Sequence, residues 1–219
     1  MNHCDLSLYL VTDRNLSLDR PIEYIVEEAV KGGATVVQLR EKDVSSKDFY
    51  TIALSLKQLL APYNIPLIIN DRLDIALAVD AEGLHIGQSD LPYEVARKVL
   101  GKDKIIGLSV ETIEQAKEAN SLDVDYIGIS PVFSTNTKDD ISKPLELEGL
   151  QEIALFTKHP MVAIGGINAE NTPDIIQSGA DGIAVVSAIV SQEEPQLAAK
   201  NLRSVVDQAK NNKHTSESK

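Results

Sequence analysis

The stretch PLIINDRLDIALAVDAEGLHIGQSD, residues 66–90, contains two short apolar runs, and polar residues follow each of them. Pro66 to Ile69 leads into Asn70-Asp71, and Gly83 to Ile86 leads into Gln88-Ser89-Asp90. The segment between the runs, Leu73 to Val79, has the spacing of a short helix. A strand, a helix and a second strand in this order predict a parallel βα unit with polar chemistry at the carboxyl end of each strand.

The same pattern recurs along the chain. The predicted strands are Leu6 to Val11, Thr35 to Leu39, Pro66 to Ile69, Gly83 to Ile86, Ile105 to Leu108, Val124 to Ile129, Met161 to Ile164 and Gly182 to Val186. A helical segment follows each strand, and the last helix is predicted from about Pro195 to Ala209. Eight such units predict an α/β protein, a single-domain (β/α)8 TIM barrel over residues 1–210. An open doubly wound sheet is the alternative, but no GxGxxG motif opens the first helix. The polar residues 211–219 are predicted to be a disordered tail.

Composition restricts the classes of partner. The chain has 219 residues, a formal net charge of −12 and 43% hydrophobic residues. An acidic chain is a poor match for nucleic acid or for an anionic membrane surface, although local cations can still bind a small anionic substrate. A single cysteine, Cys4, excludes an intramolecular disulfide. With neither a signal peptide nor a transmembrane segment visible, we expect a soluble cytoplasmic protein. The sequence leaves open whether the chain forms a homo-oligomer.

Two carboxylates are candidate metal ligands. Asp71 and Asp90 follow the third and fourth predicted strands, so both can point into the mouth of the barrel. Oxygen ligands without nearby Cys or His suit Mg²⁺, which is held by one or two carboxylates together with substrate phosphates. The alternative is that each residue caps the helix that follows it. The cations in the same mouth favour one Mg²⁺ ion.

Cationic side chains form two further groups. Gln38, Arg40 and Lys42 share one side of the segment after the second strand, where Arg and Lys suit a phosphate. The alternative for Arg40 and Lys42 is ion pairing with Glu41, Asp43 or Asp71. The long loop from Ser130 to Glu146 is a candidate lid, and its residues Thr135, Thr137 and Lys138 suit phosphate capture; a solvated loop is the alternative.

The ends of the last two strands predict a second phosphate site. Gly165-Gly166 and Val186-Ser187 stand where barrels commonly bind phosphate through main-chain N–H groups, although turn glycines are the alternative. Ser109 faces the same mouth and can hydrogen-bond a substrate. His85, flanked by apolar residues, fits a packed and hydrogen-bonded histidine better than a base. Two phosphate sites with a metal at one predict two phosphorylated substrates, a diphosphate leaving group and mainly electrostatic catalysis.

Taken together, these segments resemble the thiamine phosphate synthase family. The segments that carry the resemblance are residues 8–13 (LYLVTD), 37–42 (VQLREK), 69–72 (INDR), 83–92 (GLHIGQSDLP), 107–109 (GLS), 125–128 (DYIG), 131–138 (PVFSTNTK), 163–167 (AIGGI) and 182–187 (GIAVVS). They run in order over most of the chain. Ser130 departs from the pattern, because the family usually has Gly before Pro131.

The resemblance implies a reaction and a set of roles. Such enzymes join hydroxymethylpyrimidine diphosphate to a thiazole phosphate through a pyrimidine carbocation, and release thiamine phosphate and pyrophosphate. It implies that Asp71 and Asp90 bind Mg²⁺. It also implies that Arg40, Lys42, Ser109 and Lys138 are catalytic, and that the substrate-binding set is Gln38, Leu39, Arg40, Glu41, Lys42, Asn70, Ser109, Thr135, Asn136, Thr137, Lys138, Gly166, Val186 and Ser187.

Three other functions compete with this one. A thiazole tautomerase of the same fold would use an imidazole base, and by resemblance it lacks parts of the diphosphate-binding set that are present here. A phosphosugar or indole-type barrel isomerase or lyase would need a general base that the sequence does not offer. A thiazole-phosphate-binding regulator would have no use for a carboxylate pair.

Overall fold

Eight parallel strands close into a barrel in the computed structural model, which describes residues 4–134 and 143–217. The strands are β1 (Leu8–Val11), β2 (Val36–Leu39), β3 (Leu67–Asn70), β4 (Gly83–Ile86), β5 (Ile105–Val110), β6 (Tyr126–Ile129), β7 (Met161–Ile164) and β8 (Gly182–Val185). Each strand pairs with its neighbour in sequence, and Leu8 beside Ile183 closes the ring between β1 and β8. The predicted (β/α)8 TIM barrel is confirmed.

Nine α-helices are present in the described part of the chain. They are α1 (Ile22–Lys31), α2 (Ser46–Leu60), α3 (Leu73–Ala78), α4 (Tyr93–Leu100), α5 (Ile113–Ala119), α6 (Glu146–Ala154), α7 (Thr172–Gln177), α8 (Ser187–Val190) and α9 (Pro195–Glu217). Each packs apolar residues on the barrel; in α1, for example, Ile25, Val26 and Ala29 are fully buried. Within residues 4–134 and 143–217, no helix combines the length and the apolar character that a membrane crossing requires.

The carboxyl terminus differs from the prediction. α9 continues to Glu217, so the expectation of a disordered tail from residue 211 is wrong as far as residue 217. Neither glycine nor proline interrupts the chain after Pro195, and extending an existing helix fixes only one residue for each hydrogen bond gained. Residues 218 and 219 lie outside the described residues.

A repeated hydrogen bond closes the amino-terminal end of the barrel. The side chain of the residue before each even-numbered strand accepts a main-chain N–H from the first or second residue of the odd-numbered strand beside it. The four bonds run from Leu8 to Thr35 (3.1 Å), from Leu67 to Glu82 (2.9 Å), from Ile106 to Asp125 (2.8 Å) and from Met161 to Asp181 (2.8 Å). Unpaired N–H groups at strand ends are thereby satisfied, as buried main chain requires. These bonds indicate that the four residues stabilise the barrel and do not take part in its chemistry.

The interior of the barrel is packed with side chains from alternate strand positions. Val36, Ile68, Ile105 and Val162 are buried there in one apolar cluster with two phenol rings, Tyr9 and Tyr126. The Tyr126 ring fits because its register partner on β5 is Gly107. A methyl group added at Gly107 would collide with the Tyr126 ring and hydroxyl.

We therefore expect Gly107→Ala to destabilise the protein by about 3 kcal/mol, the upper part of the usual cost of overpacking a rigid core. The matched control is Gly128→Ala on β6, where the added methyl would meet only the edge of the His85 ring, at 3.2 Å. We expect Gly128→Ala to cost about 1 kcal/mol. Urea denaturation of the two variants and the parent measures both values, and equal losses would contradict this account of the Tyr126 ring.

Candidate active site

The predicted polar clusters meet at the carboxyl ends of the strands. Gln38, Arg40, Asn70, His85 and Ser109 line one cavity in the centre of the mouth. A neighbouring cleft of about 400 Å³ lies at the ends of β7 and β8. Ser130, the residue that departs from the family pattern, is 8% exposed and borders both spaces. The mouth therefore contains two adjoining spaces, one in its centre and one at the ends of β7 and β8.

Asp71 and Asp90 are held by interactions other than helix caps. Asp71 has a left-handed backbone (φ 62°), and its carboxylate accepts a hydrogen bond from Lys42 Nζ at 2.6 Å. The Asp90 carboxylate accepts the N–H of Gly87 at 2.7 Å and so closes its own turn. α3 and α4 begin after Arg72 and Pro92, neither of which makes a side-chain cap. The helix-cap alternative is wrong for both carboxylates, and the strained backbone at Asp71 is typical of a functional position.

The two carboxylates influence each other. Burial raises the pKa of the Asp90 carboxyl, the Gly87 N–H opposes that shift, and the nearby Asp71 carboxyl raises the pKa further. An acid whose charged form is destabilised by a neighbouring carboxylate fits a site for a divalent cation. No group of three or more acidic, His or Cys side chains suited to a metal occurs among the residues described. A carboxylate pair alone fits Mg²⁺ that also takes oxygen ligands from a diphosphate and water.

The cations after β2 differ in how firmly they are held. The Arg40 main-chain N–H donates to Thr12 Oγ1 at 3.0 Å, while its guanidinium lies 3.5 Å from an Asp13 carboxylate oxygen. Lys42 pairs with Asp71, as the alternative interpretation expected. The guanidinium of Arg40 is thus near an acid without a short hydrogen bond to it, and can turn toward a bound anion.

Two members of the predicted binding set have their side chains engaged elsewhere. Glu41 forms a two-point ion pair with Arg14, at 2.8 and 3.3 Å, and its side chain is only 4% exposed. Leu39 is fully buried in the core between strands and helices. Either residue can therefore meet a ligand only through its main chain.

The floor of the central cavity is a row of hydrogen-bonded side chains. His85 is 8% exposed, and both its ring nitrogens are bonded: Nδ1 lies 2.9 Å from the Tyr126 hydroxyl and Nε2 lies 2.8 Å from Ser109 Oγ. The Ser109 carbonyl accepts a hydrogen bond from the Gln88 side chain at 2.6 Å. The interpretation of His85 as a packed, hydrogen-bonded histidine is confirmed, and Ser109 faces the mouth on a fixed strand.

The cleft at the ends of β7 and β8 lies between a glycine turn and the start of α8. Gly166 has a φ of +65°, and its carbonyl accepts a hydrogen bond from Asn171 Nδ2 at 2.9 Å, which orients the loop. A methyl group at Gly166 would collide with the main chain of Ser134 at the base of the long loop. Val186 and Ser187 line the opposite wall, where α8 begins. Glycine at 166 is thus required by both backbone and space.

Part of the predicted binding set cannot be placed. Thr135, Asn136, Thr137 and Lys138 lie outside the described residues, so their roles stay predictions. The base of that loop is described: Val132 and Phe133 donate main-chain hydrogen bonds to Ile164 and Gly165, at 2.9 and 3.1 Å. The loop therefore starts against the end of β7, beside the cleft.

Sequence reasoning missed the two tyrosines, Tyr9 and Tyr126, that join the floor to the barrel interior. Their hydroxyl groups are 2.7 Å apart, and the Gln38 side chain donates to Tyr9 at 2.9 Å. Gly107 is in register with Tyr126 on the next strand, and this pairing is visible only in the structure.

Comparison with known proteins places the chain among enzymes of one kind. A family model described as thiamine monophosphate synthase matches residues 8–189. A thiamine-phosphate synthase of Clostridium novyi (strain NT) is 50% identical over 198 residues, which is 90% of this chain and 97% of that protein. One from Methanobrevibacter smithii is 50% identical over 202 residues, covering 92% of this chain and 96% of that protein.

A solved structure agrees with this result. The thiamine phosphate pyrophosphorylase from Pyrococcus furiosus superimposes with a TM-score of 0.87 at 40% sequence identity. The superposition covers 94% of this chain and 98% of that one.

Proposed function

Since this chain belongs to the thiamine monophosphate synthase family, and is accordingly a transferase, we propose the following reaction for it. It condenses hydroxymethylpyrimidine diphosphate with 4-methyl-5-(2-phosphooxyethyl)thiazole in a Mg²⁺-dependent step, giving thiamine phosphate and pyrophosphate. One observation carries the proposal: the acid pair and two cations share the β2–β4 side of the mouth, and a glycine-framed cleft lies across from them. The expected cytoplasmic location stays a prediction.

The proposed reaction requires stabilisation of developing charge and does not require a general base. The bond between the pyrimidine methylene carbon and the diphosphate oxygen breaks, and the oxygen keeps the electron pair. The thiazole nitrogen then uses its lone pair to form the new bond to that carbon, so no proton has to move. Arg40 and Lys42 face the leaving diphosphate, on which negative charge grows as the bond breaks. Such a dissociative path through a pyrimidine carbocation suits a mouth with cations and hydroxyls.

The remaining groups orient the two substrates. Asp71 and Asp90 would hold one Mg²⁺, which when bound neutralises charge on the diphosphate. Asn70, Gln38 and Ser109 present polar side chains toward the pyrimidine. The thiazole phosphate occupies the cleft of Gly166, Val186 and Ser187, where main-chain N–H groups suit an anion. Lys138, with Thr135, Asn136 and Thr137, completes the phosphate contacts from the loop.

The contacts of the described residues give no specific support to the tautomerase or to the regulator. A tautomerase needs an imidazole able to take a proton, whereas His85 has both ring nitrogens engaged by Tyr126 and Ser109. A regulator that only binds thiazole phosphate has no need of the Asp71 and Asp90 pair.

The direct test is incubation of the protein with Mg²⁺, the pyrimidine diphosphate and the thiazole phosphate. We expect thiamine phosphate and pyrophosphate in equal amounts, and loss of both when a chelator removes the metal. Excess Mg²⁺ added after the chelator is the control and should restore both products. Binding of the thiazole phosphate without any product would instead support the tautomerase or the regulator.

A further inference from the structure

Five side chains form a continuous hydrogen-bonded row across the inside of the barrel, and three of them have no part in the proposed reaction. The row consists of Gln38, Tyr9, Tyr126, His85 and Ser109, with successive contacts of 2.9, 2.7, 2.9 and 2.8 Å. Tyr9 and Tyr126 are each 1% exposed, so bulk water does not reach their hydroxyls. Both ends of the row, Gln38 and Ser109, line the cavity in the mouth.

The hydrogens in this row have a definite direction. The Gln38 side-chain NH₂ group can only donate, so the Tyr9 oxygen accepts from it. The other contact of the Tyr9 hydroxyl, within the part of the chain that the structure describes, is Tyr126. The single Tyr9 hydrogen is therefore satisfied by donation to Tyr126, because an unpaired buried hydroxyl is costly.

The same argument continues through the histidine. Tyr126 accepts from Tyr9, so its own hydrogen goes to its second contact, His85 Nδ1. The neutral ring then carries its hydrogen on Nε2 and donates it to Ser109 Oγ. Ser109 accepts at this end, and its hydroxyl hydrogen is left to point toward the mouth.

We propose that Tyr9 and Tyr126 are positioning residues: they hold His85 as the Nε2–H tautomer and thereby make Ser109 a hydrogen-bond donor to the bound pyrimidine. The consequence for recognition is that the Ser109 hydroxyl hydrogen is available to an acceptor of the pyrimidine, such as a ring nitrogen. The identity of that ligand rests on the proposed function; the direction of the row does not.

The packing around the row shows that it is built into the barrel. Tyr9 and Tyr126 meet edge to face with ring centroids 5.8 Å apart, and His85 stacks on Tyr126 at 5.6 Å. The absence of a side chain at Gly107 leaves the space that the Tyr126 ring occupies. A methyl group added at Gly128 would lie 3.2 Å from the His85 ring. Burial raises the pKa of both phenols, so each keeps the hydrogen that the row requires.

The direction can be measured in the protein without any substrate. Long-range ¹H–¹⁵N correlations on histidine-labelled protein distinguish an N–H nitrogen from an unprotonated one, and His85→Gln identifies the His85 signals by their loss. We expect Nε2 protonated and Nδ1 unprotonated in the parent, and a mixture of tautomers in Tyr126→Phe. The control Tyr63→Phe changes a tyrosine that is 40% exposed, and should leave the His85 signals alone. A protonated Nδ1 in the parent overturns the proposal.

A second measurement tests the consequence for the reaction. We expect Tyr126→Phe to raise KM for the pyrimidine diphosphate about tenfold, the value of one good hydrogen bond, and to leave KM for the thiazole phosphate unchanged. In a Ser109→Ala background the same change should have no further effect, since Tyr126 acts through Ser109. Additive losses would show a merely structural role and would refute positioning. If the parent protein shows no turnover, the proposed function is wrong. The tautomer measurement needs no substrate, so it still tests the direction of the row.

Discussion

Asp71→Asn is expected to lower the rate of pyrophosphate release about 100-fold while leaving the fold intact. The change removes one negative charge from the carboxylate pair and keeps the shape of the side chain. Asparagine tolerates a positive φ, so the left-handed backbone at this residue (φ 62°) is preserved. The ion pair with Lys42 is lost, and the Mg²⁺ concentration at half-maximal rate should rise at least about tenfold, as losing even an outer-shell metal contact can do.

The chain offers a matched control for that experiment. Asp80 also has a positive φ (52°), and its carboxylate forms an ion pair with Lys104 just before β4 begins, at the opposite end of the barrel. Asp80→Asn therefore repeats both the substitution and the backbone conformation outside the mouth, and should keep the parental rate and metal requirement. Steady-state rates over a Mg²⁺ titration compare the two variants. Normal turnover by Asp71→Asn would remove this residue from the proposed metal site.

The barrel could be predicted from the sequence because its signals are local. Apolar runs of about five residues, punctuated by glycine, proline and acids, identified every strand, and the last helix begins at Pro195 as predicted. Features that depend on distant parts of the chain were missed. The acids Asp125 and Asp181 look like ordinary turn residues, but each accepts an N–H from the neighbouring strand. The length of α9 was underestimated since a polar composition was taken as disorder.

The same distinction between local and long-range features applies to the candidate site. Residues that follow a strand directly, such as Asp71, Asp90 and Arg40, were found because a strand end in a barrel is a position at the mouth. The left-handed backbone of Asp71 and the row from Gln38 to Ser109 depend on which side chains meet inside the barrel. That meeting is set by register, as in the pairing of Gly107 with Tyr126, and no local pattern encodes it.

The polar row and the acid pair together explain how a mouth without a free base can carry out the proposed reaction. His85 is held between two hydroxyls, Lys42 forms an ion pair with Asp71, and the nearby Asp71 carboxyl contributes to the raised pKa of Asp90. In the proposed reaction, neutral groups on β2 to β5 position the substrate and cations stabilise the leaving group. We therefore expect loss of a cation to affect the rate more than loss of a neutral contact.

Arg40→Ala should accordingly have an effect as large as that of Asp71→Asn, a fall of about 100-fold or more in kcat/KM for the pyrimidine diphosphate. The guanidinium lies 3.5 Å from Asp13, a contact that a diphosphate with its higher charge can replace. As the carbon–oxygen bond breaks, charge accumulates on the diphosphate, so the interaction strengthens in the transition state and kcat falls. Arg40→Lys keeps the charge but loses the two-point grip, and we expect an intermediate loss of about tenfold.

The appropriate comparison is Arg203→Ala. Arg203 is partly exposed and forms ion pairs with Asp207 and Asp5 near the amino-terminal end of β1, away from the mouth. Its removal costs ion pairs of the same kind but should leave kcat/KM at the parental value. KM for the thiazole phosphate, whose proposed cleft lies at β7 and β8, should change in neither variant. Because the proposed role of Arg40 concerns the leaving group alone, equal losses for both substrates, or a comparable loss in Arg203→Ala, would contradict it.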